Sequence, residues 1–436
     1  MTALRSVGPS APEWTNSARA AGRSSSSRPL RAPVSVAVII PAHNEGTTVQ
    51  HTVRSCLDQT HPIDQLFVVA DNCTDNTAEQ AARAGAVVIE GNGGSKAAAQ
   101  NLALPRVTSD VVLAIDADAT LNAPAVALMV ETLLAGAAGT CPSALPADTS
   151  SIYSQYRTLY HAIANGWVRR MQDVLGRQLV LSGMANCHRA DVLRELGGYP
   201  EDNITEDFNL TWMLHRGGHT AAFTPAAVVY TQEPRSLREL LAQMHRWTSG
   251  FAQTTVHQRT LLLDWSSFVV VVSQLTDALV GGLATCSFLP FVLRHGLAGA
   301  WRWWSALWLL VTVVSVGVAV RQVGARTTLK CFPGWFALQV ITGPIGAWWL
   351  FREGVLGRHL TTWTGRHGCR ALITPMTSQR KVLVFTGAAL AGSAVLAAGG
   401  AREELGATCR RAGEAVAHAA RAFRTGARRF RTWAGG

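Results

Sequence analysis

Five polar clusters stand in a fixed order along this 436-residue chain: Pro41-Ala42-His43-Asn44-Glu45, Asp71-Asn72, Asp116-Ala117-Asp118, Thr205-Glu206-Asp207 and Gln243-Met244-His245-Arg246-Trp247. Together they suit a catalytic domain that handles a nucleotide-sugar at a membrane surface. Sugar transfer from a nucleotide diphosphate has to neutralise a leaving pyrophosphate, deprotonate an acceptor hydroxyl and hold the nucleoside. Asp116-x-Asp118 offers hard carboxylate oxygens that could seat Mg2+ or Mn2+ across two phosphates. A lone DxD is more often a solvated turn, but this one follows the apolar run Val111–Ile115, and an earlier run ends at Asp71. Asp71 could accept a hydrogen bond from the uracil ring N–H, or simply form the turn of Asp-Asn-Cys-Thr-Asp-Asn. Lys96 follows Gly91-Asn92-Gly93-Gly94-Ser95 and could meet a phosphate or remain a solvated surface lysine. Asp207 sits at a plausible helix start, where general base and N-cap are compatible roles. Gln243, Arg246 and Trp247 project from neighbouring turns of one helix. Arg246 suits a pyrophosphate and Trp247 offers a face to a sugar. The blander reading of that cluster is a basic amphipathic face on a membrane-lying helix, anchored by its tryptophan.

The elements that must position these residues are legible as alternating periods. Val34–Ile40 is a β-branched run ending at Pro41, which predicts a buried parallel strand. Further strands are predicted at Gln65–Ala70, Ala86–Ile89 and Val111–Ile115, and helices at Thr47–Asp58, Thr77–Ala84 and Lys96–Leu104. Strands alternating with helices predict an α/β fold with a doubly wound parallel sheet. Ligands of such sheets bind beyond the C-terminal strand ends, where Ala42–Glu45, Asp71 and Asp116–Asp118 fall. Residues 152–178 read as helical and partly amphipathic, and Leu237–Gln258 as an amphipathic helix or pair of helices suited to a membrane interface.

Composition sets the wider frame. The length exceeds what one core usually takes, and hydrophobic residues make up 48% of the chain. Residues 1–33 are Ser/Arg/Ala/Pro-rich without an apolar h-region; they are expected to be disordered and not to serve as a secretory signal peptide. Residues 34–235 are the expected catalytic domain, 236–263 interfacial helices, 264–400 transmembrane or interfacial helices, and 401–436 a basic tail. Candidate spans lie at 266–293, 303–320, 332–351 and 382–400. The third contains Gly343-Pro344-Ile345-Gly346 and reads as a kinked span, an interfacial helix or a re-entrant element. A net charge of +11 with apolar spans points to an anionic membrane surface, and no nucleic-acid module is recognisable. The eight cysteines are scattered without CxxC or zinc spacing, as in a reducing compartment. His43, His161, His188, His215 and His245 have no mutual metal spacing and read as structural or surface residues.

Taken together the clusters resemble family 2 inverting glycosyltransferases, in the branch of membrane-embedded processive synthases that make poly-N-acetylglucosamine, hyaluronan and cellulose. The resemblance covers about residues 34–260 and extends more loosely to about 370. Ser182-Gly183-Met184-Ala185-Asn186-Cys187-His188-Arg189, Gly197-Gly198-Tyr199-Pro200 and Ile204-Thr205-Glu206-Asp207 match the acceptor-side pattern, and QxxRW is the most specific motif. The resemblance implies a GT-A fold. It implies that Ala42, Asn44 and Glu45 lie by the nucleotide, Asp71 on uracil, Lys96 near the phosphates and Asp116 near the donor. Asp118 would bind the metal and Asp207 would be the catalytic base. Ser182, Gly183 and Glu206 would face the acceptor, while Gln243, Arg246 and Trp247 would hold the pyrophosphate and the growing end. Thr362-Trp363-Thr364-Gly365-Arg366 looks like the family's gating segment, with Trp363 and Arg366 capping the nucleotide.

This chain departs from that pattern in three ways. It carries no hydrophobic span before the catalytic domain, which suggests a reduced channel or one completed by an accessory membrane subunit. Gly139-Thr140-Cys141-Pro142-Ser143 differs from the usual Gly-rich sequence after DxD. Three crossings before Trp363 would strand it on the wrong side of the membrane, so two are favoured. The expected protein is an integral plasma-membrane enzyme with a cytoplasmic catalytic domain. It would transfer sugar from a UDP-sugar, favoured as UDP-N-acetylglucosamine, to a growing polysaccharide. Transfer of one sugar to a lipid-linked acceptor, and an inactive scaffold of an export system, are the alternatives.

Overall fold

Parallel strands buried on both faces need unbroken apolar runs, and the N-terminal half supplies them. The computed structural model describes residues 30, 32–274, 300–354, 362–364 and 370–372. Its strands β1 (Val36–Ala42), β2 (Gln65–Asp71), β3 (Val87–Gly91) and β4 (Val111–Ile115) match the predicted runs to within two residues at each end. They pair in parallel in the order β3-β2-β1-β4. Alternate residues of β1 feed two cores, with Val36, Val38 and Ile40 on one face and Ala37 and Ile39 on the other. Helices α1 (Val49–Leu57), α2 (Thr77–Arg83) and α3 (Lys96–Ala103) cross between these strands.

Beyond β4 the fully parallel expectation fails. The remaining strands are β5 (Thr120–Leu121), β6 (Gly139–Pro146), β7 (Ala185–Arg189) and β8 (Ala221–Thr231), and they extend the sheet as β4-β7-β6-β8-β5. β7 runs antiparallel to both β4 and β6, so the eight-stranded sheet is mixed. The reason is connectivity. The chain leaves β6 through helices α5 (Ile152–Ile163) and α6 (Arg169–Val174) and re-enters the sheet beside β4 in the reverse sense. This reversal brings Ser182-Gly183, just before β7, back to the strand end that carries Asp116.

Between α5 and α6 the helix widens into a π-turn over Ala164–Val168. Gly166 there meets Val318 so closely that a Cβ would sit 2.6 Å from the valine Cγ1. Helix α9 (Leu237–His257), preceded by α4 (Ala125–Leu134), α7 (Ala190–Glu195) and α8 (Glu206–Arg216), carries the QxxRW cluster. It packs with α5, α10 (Ala300–Val323) and α11 (Ala325–Gly354) around Tyr156, Leu159, Leu240, Ala319, Trp335 and Leu338. Helix α11 runs unbroken through Pro333 and Pro344, so the third candidate span is one continuous helix. Its last turn buries Glu353, which accepts hydrogen bonds from Ser249 Oγ (3.0 Å) and lies 3.1 Å from His245 Nε2.

Among the described residues no helix is long and apolar enough to cross a membrane, so the expected crossings are not met there. Most of the first candidate span and all of the fourth lie outside the described residues, as do the N-terminal segment up to residue 29 and the basic tail.

Gly250 of α9 lies against Thr205, where a Cβ would come within 2.4 Å of Thr205 Cγ2. Gly250→Ala is therefore expected to destabilise the fold by about 1–3 kcal/mol through overpacking. A lowered thermal-unfolding midpoint relative to the parent would check this, and an unchanged midpoint would count against the packing described.

Candidate active site

Two loops at neighbouring strand ends open the site. Asn44 and Asn72 follow β1 and β2 with φ of 56° and 51°, the left-handed region that asparagine tolerates best among residues with a Cβ. Asn44 Oδ1 accepts from the Thr74 N–H at 2.8 Å, which ties the two loops together. The Glu45 carbonyl accepts from the N–H groups of Thr48 and Val49 and so opens α1, while its Oε2 accepts from Thr48 Oγ1 at 2.7 Å. Ala42 is buried, and its carbonyl accepts from Cys73 Sγ at 3.4 Å.

Asp71 ends β2 and is buried. Its Oδ1 accepts from the Gly93 N–H at 2.7 Å and its Oδ2 from the Gly94 N–H at 2.8 Å. The glycines are demanded locally: Gly94 has φ +69°, and a Cβ on Gly93 would lie 2.6 Å from that of Ala98. A carboxylate offers about four acceptor positions, so clamping this loop leaves capacity for a base N–H. The Asp71 side chain thus clamps the glycine loop rather than closing its own turn.

The clamped loop delivers Lys96 to the centre of the site. Ser95 caps α3 by accepting from the Ala98 N–H at 3.1 Å, which fixes Lys96 as the first helical residue. Lys96 Nζ lies 2.6 Å from Asp116 Oδ1 and 3.2 Å from Glu206 Oε1, and it donates to the Gly183 carbonyl at 2.7 Å. It is not the solvated surface lysine of the alternative reading. Burial works against its charge, but Asp116, Glu206 and Asp207 outweigh burial and hold its pKa above that of an ordinary lysine.

Asp207 stands in the first turn of α8, where helix-terminal N–H groups favour negative charge. The N-cap is Thr205, so the N-cap reading of Asp207 is not met. Asp207 Oδ2 accepts from the Gly183 N–H at 2.6 Å and Oδ1 from the Phe208 N–H at 2.8 Å. A Cβ on Gly183 would sit 2.8 Å from Asp207 Oδ2 and 3.1 Å from Lys96 Nζ, so a side chain here would displace the two charged groups. Burial, and then the neighbouring Glu206 charge, push the Asp207 carboxyl up to about 6, against the pull of Lys96 and the two N–H donors. Ser182 is buried beside it, its carbonyl accepting from Asn186 Nδ2 at 3.2 Å. Arg246 faces the same acids. Burial depresses its pKa, and Glu206, Asp116 and Asp207 work in the opposite direction.

Gln243 lies about one turn before Arg246 and Trp247 directly follows it, and both pack against α5 rather than against the acids. Arg157 Nη2 donates to Gln243 Oε1. The Arg157 guanidinium lies 4.4 Å from the centroid of the Trp247 ring, and the Tyr160 ring stacks near that indole at 6.4 Å between centroids. Trp247 is thus half-buried, with part of its ring packed against Arg157 and Tyr160. Arg157 and its partner Glu233 (3.4 Å) were missed by sequence reasoning. The available signal was a lone arginine among Tyr153, Tyr156, Leu159 and Tyr160 on an otherwise apolar helix face.

Trp363 lies in a short strand, Thr362–Thr364, paired antiparallel with Arg370–Leu372, and Arg366 lies outside the described residues. All five histidines read as structural or surface residues are buried or paired: His161, His188 and His215 are buried, His245 meets Glu353, and His43 Nδ1 lies 2.7 Å from the Asp71 carbonyl oxygen. Among the described residues no three His, Cys, Asp or Glu side chains form a group that could hold a metal. Asp116 and Asp118 supply hard oxygens too few for a resident ion but sufficient for one that arrives with phosphate oxygens.

The family model described as "Glycosyltransferase like family 2" matches residues 32–250, half of the chain. The chain belongs to that family. Its family 2 domain, with carboxylates gathered at the C-terminal ends of an α/β sheet, has the GT-A arrangement. The poly-β-1,6-N-acetyl-D-glucosamine synthase of Staphylococcus epidermidis is 27% identical over 223 residues, 49% of this chain and 54% of that protein. The synthase of the same name from Staphylococcus aureus is 26% identical over 225 residues, again 49% and 54%. The matched region spans about half the length of these curated relatives. Among solved structures, a mannosyltransferase from Pyrobaculum calidifontis in complex with GDP-Man and Mn2+ superposes with a TM-score of 0.41 at 17% identity, covering 70% of this chain and 87% of that one. Glucosyl-3-phosphoglycerate synthase from Mycobacterium tuberculosis, with Mn2+, UDP and phosphoglyceric acid, gives a TM-score of 0.37 at 21% identity, covering 52% and 79%.

The electrostatics yield a direct test. The Asp207 carboxyl is expected to titrate at about 6. Glu206→Gln removes a neighbouring negative charge and should move that titration to lower pH. NMR of carboxyl-labelled aspartate, assigned with Asp207→Asn, measures both values; an Asp207 that titrates like an exposed aspartate would contradict the geometry.

Proposed function

We propose that this family 2 domain is an inverting β-glycosyltransferase that takes a UDP-sugar, UDP-N-acetylglucosamine in the favoured reading, and extends a polysaccharide at the cytoplasmic face of the plasma membrane. The observation that carries the reading is the Asp207 carboxylate, fixed by the Gly183 N–H at 2.6 Å beside the Lys96–Asp116 pair.

Inversion in one displacement needs a base and no enzyme nucleophile. Asp207 supplies the base: its carboxylate takes the proton of the acceptor hydroxyl as the hydroxyl oxygen attacks the anomeric carbon and the bond to UDP breaks. A pKa of about 6 leaves it mostly ionised at neutral pH and basic enough to accept that proton. Gly183 and Phe208 aim it, since their N–H groups bind one carboxylate oxygen each. Asp71, Asn44, Glu45 and Ala42 line the nucleoside end, and Lys96 and Arg246 face the developing phosphate charge. Asp118, with Asp116 beside it, would hold Mg2+ or Mn2+, which when bound neutralises charge on the leaving pyrophosphate. Trp247 presents an aromatic face to the acceptor sugar, with Ser182, Gly183 and Glu206 on the acceptor side.

Membrane placement is supported by the apolar stretches of the C-terminal third and by exposed side chains such as Leu310, Val313, Leu329, Phe336 and Trp348. Trp363 belongs to the proposed gating segment. A single-sugar transferase to a lipid-linked acceptor uses the same site and differs only in product.

UDP release by the detergent-solubilised chain, over a panel of UDP-sugars with Mn2+ and with sizing of the products, tests the proposal. One active donor giving a long polymer is expected. One sugar on lipid would favour the single-transfer reading, and no release from any donor would sink the enzymatic one. Asp207→Asn should lower turnover by about 10²–10⁴-fold while UDP still binds. Normal turnover by that variant would remove Asp207 from its role.

A further inference from the structure

Outside the acids of the site, an unusual group in the catalytic half is a buried charge cluster under the QxxRW helix. Arg157 is 1% exposed and contacts two residues of that motif at once. Nη2 binds Gln243 Oε1, while the guanidinium plane covers the rings of Trp247 (4.4 Å) and Tyr160 (5.2 Å). Its counter-charge comes from a third element. Glu233, in the loop between β8 and α9, lies 3.4 Å from Arg157 Nε and 3.7 Å from His161 Nε2, and accepts from Thr231 Oγ1 at 2.9 Å. Burial opposes the Glu233 charge, but His161 and Arg157 more than offset it and hold its carboxyl below the usual glutamate range.

Filling this volume for stability alone would favour an apolar side chain. A buried ion pair rarely outperforms well-packed hydrophobic residues of similar size. The cost is larger here, because Arg157 Nε and Nη1 are both buried without a hydrogen-bond partner among the described residues, Glu233 facing Nε as a counter-charge only. A lysine could supply the charge but not a flat face and a lateral donor together. What the arginine adds is orientation. A planar cation stacked on an indole and hydrogen-bonded four residues earlier on the same helix fixes both side chains against each other.

We infer that Arg157, held by Glu233, is a positioning residue that sets Gln243 and Trp247 in the geometry the acceptor sugar needs. Its meaning for catalysis rests on the sugar-transfer reading above; the orientation of Trp247 does not.

The test uses the full chain in detergent, labelled with 5-fluorotryptophan. The Trp247 resonance is assigned by its loss in Trp247→Phe. Arg157→Met alone strands a buried carboxylate, so the charge-balanced pair Arg157→Met with Glu233→Gln is the principal variant. The expected result is a shifted or broadened Trp247 resonance and a turnover lower by about 100-fold, as for a misplaced reacting group. Arg157→Lys should recover only part of that loss. A Trp247 resonance identical to the parent's would overturn the inference, as would a moved resonance with parental turnover. If the parent itself releases no UDP from any sugar, the sugar-transfer reading fails, while the resonance still decides whether Arg157 orients Trp247.

Discussion

One ammonium group organises this site. Lys96 Nζ touches Asp116 after β4, Glu206 at the start of α8 and the Gly183 carbonyl before β7, three segments distant in sequence. Three carboxylates crowd together there, and without a cation among them they would repel one another. The lysine also governs Asp207 indirectly, because it opposes the push that Glu206 exerts on that carboxyl. The rest of the catalytic half can be read as the means of delivering this side chain: the glycine loop clamped by Asp71, the Ser95 cap, and the sheet that aligns the three strand ends.

The sheet can do this because its two halves are joined in opposite senses. The parallel half places loops after β1, β2 and β4 along one edge, as its topology requires. The antiparallel β7 then returns Gly183 to that edge, where its N–H and C=O serve Asp207 and Lys96 respectively. A single peptide neighbourhood thereby holds the Lys96 ammonium and the Asp207 carboxylate in fixed relation. The QxxRW helix closes the other side, braced by Arg157 from α5 and by the buried Glu353 from α11.

Legibility in the sequence followed burial. β1, β2 and β4 were readable because two-sided burial leaves a near-continuous apolar run. β6, β7 and β8 were not, because β6 carries Pro142 and Pro146, β7 carries Asn186, His188 and Arg189, and β8 contains Pro225. The ladder accommodates the prolines with a register shift at Pro142/Ser143, a device that leaves no periodic trace. Among site residues, the acids and QxxRW were visible as short motifs. The Lys96 contacts were not, since they depend on how far apart in sequence its partners lie. Arg157 and Glu233 escaped notice because each stands alone in its own segment and acquires meaning only through the other.

The strand order β3-β2-β1-β4-β7 also bears on how the chain is made. The parallel half is complete once residue 115 has been synthesised, but the strand that covers the outer edge of β4 begins at Ala185. At ribosomal speeds those intervening residues take roughly 4–14 s. During that interval Val111-Val112-Leu113-Ala114-Ile115 presents an apolar strand with one bare hydrogen-bonding edge, the kind of surface that recruits a neighbouring nascent chain. The antiparallel return that completes the site therefore also closes an apolar edge of the half-made domain, and the order of synthesis leaves that edge waiting for the residues that bring chemistry to it.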